Sequence, residues 1–255
     1  MHTLLQHIEL LRYRALAELR RDSSGMYLGM IWWVLEPILY MLVFYIIFGI
    51  GLKKGGIDFV FYLLCGLVPW KWLDSTVRTA SGVILASAGL MRQVYFPKWL
   101  LPAYIVLANT YKFFIIFSLL ILFFLAFGLR PSVVWLAIPL LVLLQLFLVV
   151  SLAFLASAIV PLVPDLRFAV NYGMTMLFFL SGVFFNVSEL GEPVRSWLLW
   201  VPTVLLIDAY REIFLYGLWP NFYGLSKVFL SSLVFFIFGL GLLLRFDKYY
   251  PRVVS

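Results

Sequence analysis

The chain has 255 residues, of which 64% are hydrophobic and 12% charged, with a formal net charge of +7. A soluble domain carries roughly 25% charged residues, so this composition excludes a water-soluble fold and leaves little chain for an extramembrane domain. Lys and Arg fall in short gaps between apolar runs, where they report orientation in a membrane and not nucleic-acid binding.

The N-terminal segment lacks the unbroken apolar core of a signal peptide, because Arg12, Arg14, Arg20 and Arg21 alternate with Glu9 and Glu18. Leu4, Ile8, Leu11, Ala15 and Leu19 recur at helical spacing, and Thr3 with Gln6 has the form of a capping box. Residues 1–24 are therefore predicted to form an amphipathic helix lying on the membrane surface. It either anchors to anionic lipid or docks a partner.

Six uncharged or nearly uncharged segments follow, at 30–52, 57–73, 104–129, 132–162, 168–188 and 226–245. A spanning helix needs about 20 mostly apolar residues, so the fold is predicted to be an all-α, six-span membrane domain. Glu36 in the first span and Lys112 in the third lie about 9 and 12 Å from the inner ends at 1.5 Å per residue. A charge at that depth faces a partner or a wet path. The two are predicted to pair or to line the inner mouth, with snorkelling of Lys112 to the headgroups as the alternative.

Between the second and third spans, residues 74–102 form a long loop with Ser81-Gly82, Arg92-Gln93, Phe96-Pro97 and Leu101-Pro102, room for a short helix parallel to the membrane. Residues 189–225 hold Glu189, Glu192, Arg195, Asp208, Arg211 and Glu212 among apolar runs too short to span. Pro193, Pro202, Gly217 and Pro220 divide them, which predicts two short helices, Val194 to Trp200 and Thr203 to Tyr216, dipping into the outer leaflet. An amphipathic loop resting on the surface is the other reading.

With the N-terminus inside, the inner loops hold eleven Lys and Arg residues and the outer loops six (Lys53, Lys54, Arg130, Arg195, Arg211 and Lys227), so both termini are predicted cytoplasmic. All nine tryptophans fall near predicted span ends or in loops, as an interfacial belt does. Cys65 is the single cysteine, and His2 and His7 are the only histidines, both on the N-terminal segment, so no metal or catalytic cluster is predicted. There is no G-x-x-x-x-G-K-[ST] loop to hold nucleotide phosphates, and Lys53-Lys54-Gly55-Gly56 reads as a charged turn. If transport here consumes ATP, another polypeptide binds it.

Arg21-Asp22, Tyr27, Leu28-Gly29, Trp32 and Pro37, with Phe96-Pro97 and Leu101-Pro102, resemble the permease subunit of ABC-2 type polysaccharide exporters. The run Ser196-Trp197-Leu198-Leu199-Trp200-Val201-Pro202, then Tyr210-Arg211-Glu212, is similar to the capsular polysaccharide exporters of Gram-negative bacteria, with the O-antigen exporters close by. Ser181-Gly182 departs from the Ser-Pro pair of many O-antigen and teichoic acid relatives.

The resemblance implies a homodimer in the inner membrane, two cytoplasmic ATPase subunits that bind ATP and Mg, no cofactor in this chain, a lipid-linked polysaccharide as substrate and a periplasmic export partner. It implies an interface helix carrying Arg12, Arg20, Arg21 and Asp22, and ATPase coupling through Arg92, Gln93, Phe96, Pro97, Asp165 and Arg167. The outer gate would hold Trp197, Trp200, Pro202, Asp208, Arg211 and Glu212. Tyr40, Tyr45, Phe178 and Phe185 offer sugar-stacking faces for a glycan path, lipid or helix contact being the alternative. Two other classes stand beside it. A membrane enzyme on lipid-linked sugar would draw on Glu189, Glu192, Asp208 and Glu212. A secondary transporter would show two inverted halves, a symmetry not visible in the sequence.

Overall fold

The computed structural model describes residues 2–24, 29, 31–47 and 57–253, and every element among them is helical. Met30, residues 48–52 of the first predicted span, the 53–56 turn and the Tyr27-Leu28 motif lie outside the described residues.

Helix α1 (His2–Ser24) packs on α5 (Leu100–Ala126) through a face that buries Ala15 and Glu18 and leaves Arg12, Tyr13, Leu16 and Arg20 exposed. Thr3 lies inside α1, not at its cap. After α2 (Ile31–Phe44), helix α3 runs from Ile57 to Ala86, well past residue 73, where the sequence reading ends it. Its polar residues mimic a loop in the sequence but are satisfied within the helix. Thr76 Oγ1 donates to the Trp72 carbonyl at 2.6 Å and Ser81 Oγ to the Arg78 carbonyl at 2.7 Å. Val77, Ala80, Val83 and Ile84 continue a buried stripe at helical spacing. What remains of the 74–102 loop is the short α4 (Ala88–Gln93) and an irregular link, before α5 begins at Leu100 with Pro102 in its first turn.

A 3-10 turn (Val133–Ala137) leads into α6 (Ile138–Ile159), and a tight turn through Pro161 and Pro164 leads into α7 (Leu166–Leu180). Helix α7 stops where Gly182 takes φ +73°, in the left-handed region that proline, fixed near −65°, does not reach. The chain then folds into α8 (Val194–Leu198), α9 (Pro202–Arg211) and a π turn (Glu212–Tyr216) closed by Gly217 at φ +62°. Helix α10 (Phe222–Arg245) and the single turn α11 (Tyr250–Val253) complete the described chain.

Three stretches, Leu100–Ala126, Val133–Ile159 and Phe222–Arg245, are long and apolar enough to cross a membrane. Helix α3 has 30 residues but carries Lys71, Asp74 and Arg78, while α2 and α7 are apolar but have 14 and 15 residues. Helix α6 packs against α3 and α10. At Gly239 the α6 and α10 backbones touch: a Cβ there would stand 2.6 Å from the Leu155 amide nitrogen. The longer α3 also moves Trp70 and Trp72 out of the predicted interfacial belt. Both are buried, and Trp72 stacks on Phe113 at 4.0 Å between centroids.

Candidate functional site

Charge gathers where α1, α2, the second half of α3 and the first halves of α5 and α7 meet. A cavity of about 320 Å³ is lined there by Trp33, Glu36, Lys71, Asp74, Arg78 and Lys112, among others. Lys71 Nζ donates to Glu36 at 2.5 Å, Lys112 Nζ donates to Asp22, and Arg78 Nε donates to Asp74 at 2.7 Å. Glu36 and Lys112 therefore share a cavity but are not each other's partners, because α3 and α1 supply closer opposite charges. Pairing offsets the cost of holding charge among apolar helices. Lys71 also stands 4.3 Å over the Tyr40 ring and Lys112 5.3 Å over Trp33.

Of the four aromatics named for the glycan path, Tyr40 and Phe178 meet edge to face at 6.5 Å. Phe185 connects to Phe178 through Phe184, at 6.4 and 5.1 Å. Tyr45 lies half-buried past the end of α2.

Arg92 and Gln93 close α4 in the open, and Asp165 is exposed in the turn before α7. Phe96 and Pro97 turn toward α1 and border a groove of about 380 Å³ with Leu10 and Arg14. This link is tied to the end of α10: Tyr95 Oη donates to Asp247 at 2.9 Å and the Lys98 amide donates to the same carboxylate at 2.7 Å. Tyr250 Oη, three residues on, donates to the Ala158 carbonyl at 3.0 Å. Burial lowers the pKa of Lys98, and Asp247 opposes that shift in part. Asp247 was missed in the sequence, where its signal was being the one acidic side chain after Glu212.

A second cleft, about 590 Å³, opens beside the first and shares Arg78 and Thr79 with it. Arg21 of α1 enters it bonded to Glu18, whose pKa burial raises while Arg21 pulls it down. Arg167, expected beside Asp165 on the coupling turn, folds back over Gly82, where a Cβ would stand 3.2 Å from its Cζ. Arg12 and Arg20 stay on the open face of α1.

At the opposite end Arg211, counted above among outer-loop charges, is 2% exposed. Its Nη2 donates to the Val183 carbonyl at 2.7 Å, its Cζ sits 3.5 Å from the Tyr62 ring centroid, and Asp208 approaches at 3.5 Å. Arg211 thus clamps α9 to α3 and to the 181–187 turn, a place set by the short approach at Gly66 of α3, where a Cβ would meet its Nη2 at 3.2 Å. Next to it Tyr210 Oη donates to Gln145 Oε1 at 2.6 Å, and Gln145 Nε2 donates to the Pro69 carbonyl at 2.8 Å. This buried chain joins α9, α6 and α3. Its centre, Gln145, was also missed, although it is the one amide side chain in residues 132–164.

Trp197 and Trp200 are each 75% exposed, with Lys227 4.8 Å over the Trp200 ring, and Pro202 opens α9. Glu212 accepts the Asn221 amide at 3.1 Å, while Glu189 and Glu192 face outward. Among the described residues no three of the carboxylates considered for catalysis come together.

Fold and site together define a helical membrane protein with paired charges lining one end. The chain belongs to the ABC-2 type transporter family, whose profile matches residues 10–215, and it is a transport component and not an enzyme. It is 31% identical over 214 residues to the O-antigen export system permease protein RfbA of Myxococcus xanthus, covering 81% of this chain and 82% of that one. A Klebsiella pneumoniae protein of the same name is 24% identical over 216 residues, covering 84% and 83%. The polysialic acid transport protein KpsM of Escherichia coli is 27% identical over 242 residues, 89% of each chain.

Proposed function

We propose that this chain is the permease subunit of an ATP-driven exporter that carries a lipid-linked polysaccharide across the bacterial inner membrane. The observation that carries the reading is the family match over residues 10–215 together with similarity over 81% to 89% of the chain to glycan export and transport proteins. The sequence motifs favour the capsular branch, whereas the 31% identical relative is an O-antigen export permease, so the proposal stands at polysaccharide. Gly182 supports a local departure from Ser-Pro relatives, since its φ of +73° is closed to proline.

In this reading α2, α3, α5, α6, α7 and α10 are the six spans, with α1 as interface helix and both termini cytoplasmic. Two copies assemble along the apolar outward faces of α2 and α7, which expose Tyr40, Leu42, Tyr172, Met176 and Phe179. The link from α4 to Lys98 and the turn at Asp165 receive two ATPase subunits, which bind ATP and Mg. Helices α8 and α9 form the outer gate, and a periplasmic partner takes the glycan onward. ATP-driven closure of the ATPases pushes on the link and moves the helices as rigid bodies.

The test is recovery of the tagged chain from its native host in mild detergent. An ABC ATPase is to copurify, and R92A and D165A are to lose it. Surface glycan that persists after the gene is deleted, with no nucleotide-binding partner recovered, would overturn the assignment.

A further inference from the structure

The cleft between α1, α3, α5 and α7 holds three guanidinium groups, those of Arg21, Arg78 and Arg167. Two of them have a carboxylate: Arg21 bonds to Glu18, and Arg78 bonds to Asp74. Arg78 also donates through Nη1 to the Asn171 carbonyl at 2.8 Å and through Nη2 to Thr175 Oγ1 at 3.0 Å. That fixes its plane and leaves two of its five N–H groups without a partner among the described residues. The Arg167 amide donates to the Pro164 carbonyl at 3.0 Å, but its guanidinium has no hydrogen-bonded or ionic partner among the described residues. Instead its guanidinium lies against Gly82, where a side chain would meet Cζ at 3.2 Å and Nε at 3.3 Å. Among the described residues the cleft therefore carries one uncompensated positive charge, on an exposed side chain that rests on a helix surface, flanked by Arg78, held by three hydrogen bonds, and by the more exposed Arg21.

The walls add a second constraint. Leu85 and Ala86 are the apolar side chains with accessible surface in the cleft, with Val83 and Ile105 buried behind them, so an occupant meets a strip of apolar helix surface beside a largely polar lining. The cleft adjoins the cavity of Glu36 and Lys71 at Arg78 and Thr79, which gives an occupant polar room beyond its anionic group. Planar forks that accept paired oxygens suit phosphate better than a point cation does. A free anion would have no use for the apolar walls. A phosphate on an acyl or prenyl chain uses both.

We infer that Arg167, Arg78 and Arg21 form a receptor for the phosphate of a membrane lipid at the end of the bundle occupied by α1 and the start of α7. Placing that end at the cytoplasmic leaflet rests on the function proposed above. The phosphate has two sources, the diester of a bulk anionic phospholipid or the diphosphate of a lipid-linked glycan. Arg167 is the specificity-setting residue, because the other two guanidinium groups are already neutralised.

The full chain in mild detergent is titrated separately with phosphatidylglycerol and with a polyprenyl diphosphate, and bound adducts are counted by native mass spectrometry. R167Q is expected to weaken one of the two about tenfold relative to phosphatidylcholine, while K248Q, which removes one charge from an exposed site at the same end, changes neither. Selective loss of the diphosphate assigns the cleft to the transported lipid, and loss of phosphatidylglycerol assigns it to the surrounding bilayer. R167K, which keeps the charge without the fork, is to fall between. The inference is overturned if R167Q binds both lipids as the unaltered chain does, or if it loses the ATPase while keeping its lipid affinities. Lipid selectivity without any recovered ATPase would count against the proposed function alone.

Discussion

Replacing Gly239 with alanine is expected to force α10 away from α6. The added Cβ would stand 2.6 Å from the Leu155 nitrogen, and 3.0 Å from both Leu155 Cα and the Phe154 carbonyl carbon. All three atoms are helix backbone, so no side-chain rotation relieves the overlap, and one helix must shift. Overpacking of this kind costs about 1–3 kcal/mol, and contacts on rigid backbone point to the upper value. Alanine is also the better helix former by up to about 1 kcal/mol, which offsets part of the loss and blurs the result for a single variant. Gly241 supplies the control, since it lies in the same helix and a Cβ added there would meet nothing within 4 Å. The propensity gain is common to G239A and G241A, so the difference between them isolates the overlap, about 3 kcal/mol. At roughly 2–4 °C per kcal/mol for a chain of this length, G239A is to melt about 6–12 °C below G241A, read by tryptophan fluorescence or by size-exclusion survival after heating. Equal midpoints would refute the close contact of α6 and α10 and the packing order built on it.

A double-mutant cycle on Glu36 and Lys71 is expected to give a coupling of about 0.5–1 kcal/mol, given their partial exposure, whereas Glu36 with Lys112 is to give almost none. Thermal stability of the four variants in each cycle reads this directly. Gln145→Leu strands the Tyr210 hydroxyl and withdraws a donor from the Pro69 carbonyl, and is to cost about 2–3 kcal/mol in the same melting assay. Asp247→Ala releases Tyr95 and the Lys98 amide together. Glycan exported per ATP hydrolysed is to fall several-fold while the ATPase still copurifies, and unchanged export would show that the tie does not transmit movement.

Membrane character was legible from composition, since α5, α6 and α10 are long helices of predominantly apolar sequence. The second half of α3 was not legible, because Asp74, Arg78 and Ser81 look like loop residues until their tertiary and helical partners are known. Periodicity does not report that Arg78 is met by Asn171 and Thr175 from a helix 93 to 97 residues later. The charged site was half legible: Glu36 and Lys112 were found by their depth, but their partners Lys71 and Asp22 follow from how helices pack and not from spacing. The burial of Arg211 was not legible for the reverse reason. A charge beside a proline-broken segment reads as exposed, and only the backbone carbonyl of Val183 and the ring of Tyr62 show why it is held inside.

The carboxylate of Asp247 has a mechanical consequence. It fastens the link at Tyr95 and Lys98 to the foot of α10, and Tyr250 fastens the following turn to the end of α6. A force applied at the link is therefore delivered to the α6–α10 pair, whose backbones are in contact at Gly239 and leave little slack. In the proposed transport cycle the pair would act as a lever arm whose fulcrum is a glycine. Its far end, where Gln145 of α6 holds Tyr210, is where such a stroke would reach α9.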